Sequence, residues 1–314
     1  MLRFVAALAL GLFALFPGAA LADDSGRAQN VQIADVKGDH GYRPIKTKAY
    51  AAIRKDMVDR KVLEEYIAFM SPLRLPKTLW VYAEECDGGA GASPHYDPSQ
   101  RAIVMCYQFV KMIADMADPL VKAEAQNPKN VPMKVTRTGF IAGVFAGVIL
   151  HETGHALFDI LNVPIFGREE DAADEMSTFV SVQFKPQVAD LMVASFADID
   201  LMFSNPPTKA MDPNDPNMPK DPEERCQVDP FCAFADEHGA WGQRFFNTLC
   251  IAYGANPAHF QSFAKGGWLP KDRDCVAEYQ TVRKAFATTI YPFIDKEQMK
   301  KVQAGDWFKP AEMK

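Results

Sequence analysis

The sequence lacks the features that would point to nucleic acid, an anionic membrane or a dithiol redox site. Its 314 residues carry a formal net charge of −6 and contain no cluster of basic residues, so nucleic acid and anionic membrane surfaces are unfavourable partners. No Cys-x-x-Cys motif is present, which removes the usual signature of a thiolate zinc site or a redox dithiol. Apolar residues make up 48% and charged residues 24%, as in an ordinary globular chain.

The first 22 residues have the composition of a secretory signal peptide. Arg3 supplies the positive end, Phe4–Phe16 forms an apolar run, and Ala20–Ala22 is a small-x-small cleavage site. The apolar run is shorter than the roughly 20 residues that a membrane span needs, and no lipobox cysteine follows it. We therefore expect cleavage near Ala22, no stable membrane anchor afterwards, and a periplasmic or secreted protein.

The sequence contains six cysteines, all of them beyond the predicted signal peptide. An even number of cysteines in an exported chain favours disulfides over free thiols. Six cysteines allow 15 pairings, which a sequence cannot distinguish. Proximity along the chain favours the pairs Cys86–Cys106, Cys226–Cys232 and Cys250–Cys275.

A single short motif, His151-Glu152-Thr153-Gly154-His155, carries the most chemical information in the chain. It lies within Thr138–Leu161, whose pattern predicts a helix, so the two histidines fall on one face one turn apart. Two imidazoles so placed can bind one zinc ion, and Glu152 can act as general base toward a water molecule there. The residues before the motif are apolar apart from glycine, which predicts a buried helix. Buried polar groups without partners cost about 1–3 kcal/mol each, and a metal ion would supply a partner.

A second predicted helix follows directly and supplies acidic residues for a third ligand. Glu170 and Asp174 lie one turn apart on its polar flank. Glu170 can bind the metal, and Asp174 can accept a hydrogen bond from a ligand histidine and fix its tautomer. Glu169 is the rival ligand, because it projects nearer the centre of the apolar face. An acidic start is also what the helix dipole favours in any helix.

The block from HETGHALFD to GREEDAADE resembles the zincin metallopeptidases that use a glutamate ligand, the gluzincins. More closely, the chain resembles a bacterial family of metallopeptidases of unassigned biological role. The segments YDPSQRAIVMCYQF and DEHGAWGQRFFNTLCIAYG and the later Cys275 extend the likeness over roughly residues 79–292. The resemblance implies one zinc ion per chain, bound by His151, His155 and Glu170, with Glu152 as base. The short spacing from HExxH to Glu170 departs from the large gluzincin proteases, so their cleft details do not transfer.

The expected fold is α+β and zincin-like, mainly helical, with a small antiparallel sheet or hairpin beside the HExxH helix. Leu79–Ala83 and Arg101–Cys106 read as the hairpin strands, with the turn at Asp97-Pro98. The resemblance implies that one of these strands is an exposed edge to which the substrate backbone adds. The alternative is that the hairpin only covers the helix, and the sequence pattern does not distinguish the two. Residues 23–43 are polar and poorly patterned, which predicts a flexible lead-in. Residues 44–314 are expected to form one metallopeptidase domain, with a proline-rich loop insertion at residues 204–230.

Three further polar residues are candidates for the site. Zincin chemistry develops a tetrahedral oxyanion, and His238 or Arg244 is a candidate donor to it. For His238 a plain helix cap is an equally good explanation. His95 reads as a surface histidine, because nothing pairs with it at ligand spacing.

The sequence predicts an exported zinc metallopeptidase that acts on peptide or protein substrates. Two alternatives stay open: a non-catalytic metal-binding or partner-binding protein on a zincin scaffold, and a zinc hydrolase of non-peptide amides. No fourth histidine or cysteine at ligand spacing is visible in the sequence, and an open coordination position favours catalysis.

Overall fold

The computed structural model describes residues 31–36, 38–88, 92–126, 133–203 and 238–304. The strands in these ranges are β1 (Val31–Ile33), β2 (Leu79–Glu84), β3 (His95–Asp97) and β4 (Ala102–Cys106). The α-helices are α1 (Ala51–Asp59), α2 (Val62–Met70), α3 (Tyr107–Gln126), α4 (Arg137–Ile160), α5 (Glu169–Ser181), α6 (Pro186–Phe203), α7 (Trp241–Ala255), α8 (Gln261–Lys265), α9 (Cys275–Thr289) and α10 (Lys296–Ala304). The mainly helical α+β architecture predicted from the sequence is confirmed. The predicted signal peptide, the Cys226–Cys232 pair and the proline-rich loop lie outside the described residues.

The four strands form one mixed sheet in the order β1-β2-β4-β3. β4 is buried along its whole length and occupies an inner position, parallel to β2 on one side and antiparallel to β3 on the other. The predicted hairpin between β2 and β4 is therefore wrong, although its turn is in the expected place. The turn after Asp97 is so short that only the residues just before it can run back along β4. β2 is joined to β4 by a longer connection, which allows the parallel crossover.

The predicted flexible lead-in is wrong for part of residues 23–43. β1 pairs in parallel with β2 and extends the sheet by one strand. Val31 and Tyr42 are buried in the core, and the Tyr42 hydroxyl donates to Glu64 at 2.7 Å. The sequence around these residues is polar and contains glycine, so it did not predict regular structure. A strand of three residues is also too short to show a clear periodic pattern.

Helix α4 is the central element and packs against α3, α5, α6 and the sheet. Its apolar stretch contains glycines four residues apart, which form one smooth face. A Cβ on Gly143 would lie 2.4 Å from the Ser195 hydroxyl and 2.8 Å from the Leu191 carbonyl oxygen, and a Cβ on Gly147 would lie 2.8 Å from the Phe196 ring. These glycines let α6 approach the backbone of α4 closely.

By length and composition, α4 is apolar enough to cross a membrane. In the structure, 78% of its most apolar window is buried against other elements, as in the core helix of a globular protein. Thr136 caps its start, accepting a hydrogen bond from the Gly139 amide at 3.1 Å. The helix then runs without interruption to Ile160, and this continuity fixes the relative positions of the polar residues in its second half.

Candidate metal centre

Helix α4 presents both histidines of the HExxH motif to one point. His151 is 5% exposed and Glu152 is 7% exposed, whereas His155 is half-buried nearer the surface. The Nε2 atoms of the two histidines lie 3.1 Å apart. Such an approach of two ring nitrogens follows from the four-residue spacing on a straight helix.

Helix α5 brings a carboxylate to the same point. The Glu170 Oε2 atom lies 3.0 Å from the His151 Nε2 atom, and Oε1 lies 3.3 Å from the His155 Nε2 atom. The close crossing of the two helices depends on Gly154, because a Cβ there would lie 3.1 Å from the Ala173 Cα atom. The sequence alone left Glu169 as a rival, and the structure places Glu170 between the imidazoles.

The outer nitrogens of both imidazoles are also held by carboxylates. Asp174 Oδ1 lies 2.7 Å from His151 Nδ1, and Glu169 Oε1 lies 2.8 Å from His155 Nδ1. A carboxylate can only accept, so each Nδ1 carries a proton, which leaves Nε2 as the nitrogen whose lone pair can bind a cation. Two lone pairs and a carboxylate then converge on one point, an arrangement that a cation stabilises.

The donor set fits a divalent metal ion. Donor atoms of His151, His155 and Glu170 all lie within 4.8 Å of one another. A tetrahedral ion with bonds of about 2.0–2.1 Å separates its donors by about 3.3 Å, close to the separations observed here. Nitrogen and carboxylate donors in this number match the three protein ligands of catalytic zinc sites.

The electrostatics of the site also favour positive charge. Burial lowers the pKa of His151, but the hydrogen bonds that its ring donates to Asp174 and Glu170 outweigh burial and raise the pKa to about 10. For Glu170, burial acts in the opposite direction to the two imidazoles, and the imidazoles hold its pKa well below the ordinary value. The pocket therefore stabilises a cation at the point where the three side chains meet.

Glu152 faces the same cavity from the helix turn that carries His151. Burial raises the pKa of the Glu152 carboxyl above its ordinary value, and the neighbouring imidazoles of His151 and His155 only partly offset this effect. A carboxylate with a raised pKa accepts a proton more readily, which suits a general base.

The two predicted oxyanion donors occupy different positions. His238, just before α7, places its Nε2 atom 3.3 Å from Glu170 Oε2, and its side chain is 43% exposed. Arg244 on α7 is buried and binds Asp174 through two hydrogen bonds, Nε to Oδ2 at 2.6 Å and Nη2 to Oδ1 at 2.8 Å. Arg244 therefore holds the carboxylate that orients His151, whereas His238 contacts the candidate ligand Glu170 and lines the cavity.

These residues line a cavity of about 690 Å³. Edge strand β3 forms one wall, where the Tyr96 hydroxyl donates to Asp159 Oδ2 at 2.6 Å. Sequence reasoning missed this pair. Asp159 could have been found, because it lies one helical turn after His155 on α4. His95, interpreted from the sequence as a surface residue, is exposed and also lines the cavity.

Two disulfides brace the fold around the site. Cys86 is bonded to Cys106 and Cys250 to Cys275, which are two of the pairs expected from proximity along the chain. The first ties the segment after β2 to the end of β4, and the second ties α7 to α9. Such bonds indicate an oxidising, non-cytoplasmic environment.

Comparison with known proteins gives one family match. A family model described as "DUF4344: Putative metallopeptidase" matches residues 42–290, which is most of the chain. This range contains every residue of the candidate metal centre. No curated protein and no solved structure gave a significant match.

Proposed function

Since the chain belongs to this metallopeptidase family, we propose that it is an exported zinc-dependent peptidase with Glu152 as general base. One observation carries the proposal. His151, His155 and Glu170 converge on a single point, both outer imidazole nitrogens are held by carboxylates, and the general-base candidate borders the same cavity.

The chain's own residues divide the chemistry among them. A bound zinc ion would supply Lewis acidity, which lowers the pKa of a water molecule and polarises the scissile carbonyl. Glu152 takes the proton of that water and passes it to the leaving amine. His238 donates a hydrogen bond to the oxyanion that develops on the carbonyl oxygen. Asp174 and Glu169 keep the two ligand imidazoles in the tautomer that exposes Nε2.

Strand β3 offers a place for the substrate backbone. It lies at the edge of the sheet, it borders the cavity, and it packs against α4. An extended peptide added along this edge would run past the metal site with its carbonyl groups in reach of His238. We therefore assign the substrate-binding edge to His95–Asp97, and to neither of the strands predicted from the sequence, Leu79–Ala83 and Arg101–Cys106, because both of these are inner strands of the sheet.

The experiment compares metal content and peptide hydrolysis in three forms of the protein that starts at Asp23. After reconstitution and dialysis, wild type is expected to retain one zinc ion per chain and to cleave an unstructured protein substrate. Glu170→Gln is expected to lose most of the zinc, because a neutral amide is a poor ligand. Glu152→Gln is expected to keep the zinc and lose hydrolysis.

Glu169→Gln is the matched control, since it changes the neighbouring carboxylate, which contacts only the outer nitrogen of His155. Its zinc occupancy should stay close to that of wild type at saturating metal. Hydrolysis by a correctly folded Glu152→Gln protein, or the absence of zinc from reconstituted wild type, would refute the proposal.

A further inference from the structure

Helix α6 forms one wall of the cavity with a mainly apolar face. Phe196, Ile199 and Phe203 line the cavity at helical intervals of three and four residues. Asp200 lies on the same face, one residue after Ile199, and also lines the cavity. A single carboxyl group is therefore placed within an apolar wall that faces the proposed active site.

The Asp200 side chain is buried in the wall of the cavity. The residue is 1% exposed, and neither of its oxygens has a hydrogen-bond partner among the described residues. Burial raises the pKa of its carboxyl well above the ordinary value. Leaving a buried polar group unsatisfied costs stability, so a ligand that donates hydrogen bonds to these oxygens would be favoured.

Asp174, another buried aspartate near the site, shows the contrast. Both of its oxygens are occupied by Arg244, and one also binds His151. Arg244 therefore directs its hydrogen bonds to Asp174, and its charge acts on Asp200 without a hydrogen bond. Asp200 is left as a carboxyl in the cavity wall that accepts no hydrogen bond from the described residues.

The cavity as a whole has an acidic lining. The carboxyl groups that line it are Glu152, Asp159, Glu169, Glu170 and Asp200. Arg244 supplies the only lysine or arginine charge in the lining formed by the described residues. The aromatic rings of Phe203 and Trp241 lie 4.9 Å apart at the exposed end of the same wall. Acidic groups beside aromatic and aliphatic surface suit a long, cationic side chain.

We propose that Asp200 is a specificity-determining residue that binds the basic head group of a substrate lysine or arginine side chain. The inference rests on the proposed peptidase function and names the substrate class of that site. The aliphatic stem lies along the apolar face of α6, and the head group donates hydrogen bonds to both Asp200 oxygens. These hydrogen bonds satisfy the two acceptors that the protein itself leaves open.

The first test measures binding and does not depend on catalysis. The probes are n-butylguanidine, which stays cationic at neutral pH and cannot donate a lone pair to the metal, and its neutral isostere n-butylurea. Calorimetry on metal-loaded wild type should show n-butylguanidine binding tighter by about 10- to 100-fold, the range expected for hydrogen bonds to a charged group. Asp200→Asn should reduce this ratio to near one.

Asp198→Asn is the matched control. Asp198 is buried on the same helix two residues earlier, beside Glu124, and does not line the cavity. This variant should keep the wild-type ratio. Equal binding of the two probes by wild type, or an unchanged ratio in folded Asp200→Asn, would overturn the proposal.

The second test uses peptide pairs that differ only by lysine or norleucine at one position near the scissile bond. Wild type should show higher kcat/KM for lysine at one such position, and Asp200→Asn should lose that preference while it still cleaves the norleucine peptide. Absence of any lysine preference in an active wild type also overturns the inference. If no peptide is cleaved but the probe ratio depends on Asp200, the peptidase proposal fails and the cation site stands.

Discussion

Replacement of Asp174 by asparagine tests a residue that supports a candidate metal ligand and leaves the three ligands themselves unchanged. The wild-type carboxylate accepts one hydrogen bond from His151 Nδ1 and two from Arg244, and the residue is 1% exposed. Asparagine has the same shape but only one acceptor oxygen. If that oxygen faces His151, the NH2 group of the asparagine faces the Arg244 Nε–H. Both groups are hydrogen-bond donors, so no hydrogen bond can form between them. The substitution therefore leaves a buried guanidinium without its hydrogen-bonded carboxylate partner.

Two losses follow, and they differ in size and in assay. Breaking a buried ion pair by removing one partner costs about 3–5 kcal/mol of stability. Loss of the carboxylate behind a ligand histidine weakens metal binding by about 10- to 100-fold. Urea unfolding of the metal-free protein measures the first loss, and zinc competition against a chromogenic chelator measures the second.

Glu169→Gln provides the comparison for the metal measurement. Glu169 supports His155 in the same way, but its side chain is 53% exposed. Water can replace an exposed carboxylate, so its loss should weaken zinc binding less than the loss of Asp174 does. Equal zinc affinity and equal stability in wild type and Asp174→Asn would refute the role assigned to the Arg244–Asp174–His151 chain.

Three further changes test other parts of the structure. Gly143→Ala places a methyl group against Ser195 and should destabilise the protein by about 1–3 kcal/mol in urea unfolding, since overpacking a tight helix crossing forces the helices apart; unchanged stability would argue against close packing of α4 and α6. Burial and nearby acidic groups raise the pKa of Glu175 from 4.5 to about 7. Between these two pH values the native state binds more protons than the unfolded state, so the free energy of unfolding falls as the pH rises. Glu175→Gln should therefore be more stable than wild type at pH 8 and lose that advantage toward pH 4; parallel pH–stability curves would contradict this. A double serine substitution removes the Cys250–Cys275 bond, whose cysteines are 25 residues apart in the sequence. We expect this change to cost about 3 kcal/mol of stability. Thermal unfolding measures the effect, and an unchanged melting temperature would contradict the prediction.

The parts of the site that the sequence predicted are the local ones. His151, His155, Glu170 and Asp174 lie on two consecutive helices, and helical periodicity alone indicates which of them share a face. Only the three-dimensional structure could distinguish Glu169 from Glu170 as the candidate third ligand. Successive helical residues point about 100° apart, so Glu170 reaches the inner nitrogens while Glu169 reaches an outer one.

The parts that the sequence did not predict depend on contacts between distant segments. Strand β3 is only three residues long, and its pairing with β4 cannot be read from periodicity. In the sequence, Asp200 is one of three aspartates in an otherwise mainly apolar helix, and only the structure shows that it lines the cavity. The Tyr96–Asp159 hydrogen bond joins residues 63 positions apart. Such pairs follow from the tertiary fold and leave no local pattern.

The candidate metal ligands and the carboxylates that hold the two histidines lie within residues 151–174, on α4 and α5 and the short loop between them. The walls of the cavity come from distant segments, the sheet edge and α6 and α7. The candidate metal-binding unit is thus a helical hairpin of low contact order, which requires little chain closure to assemble during folding. Changes of specificity in β3 or α6 can accumulate without altering the hairpin, so one reaction chemistry can be combined with many substrate clefts.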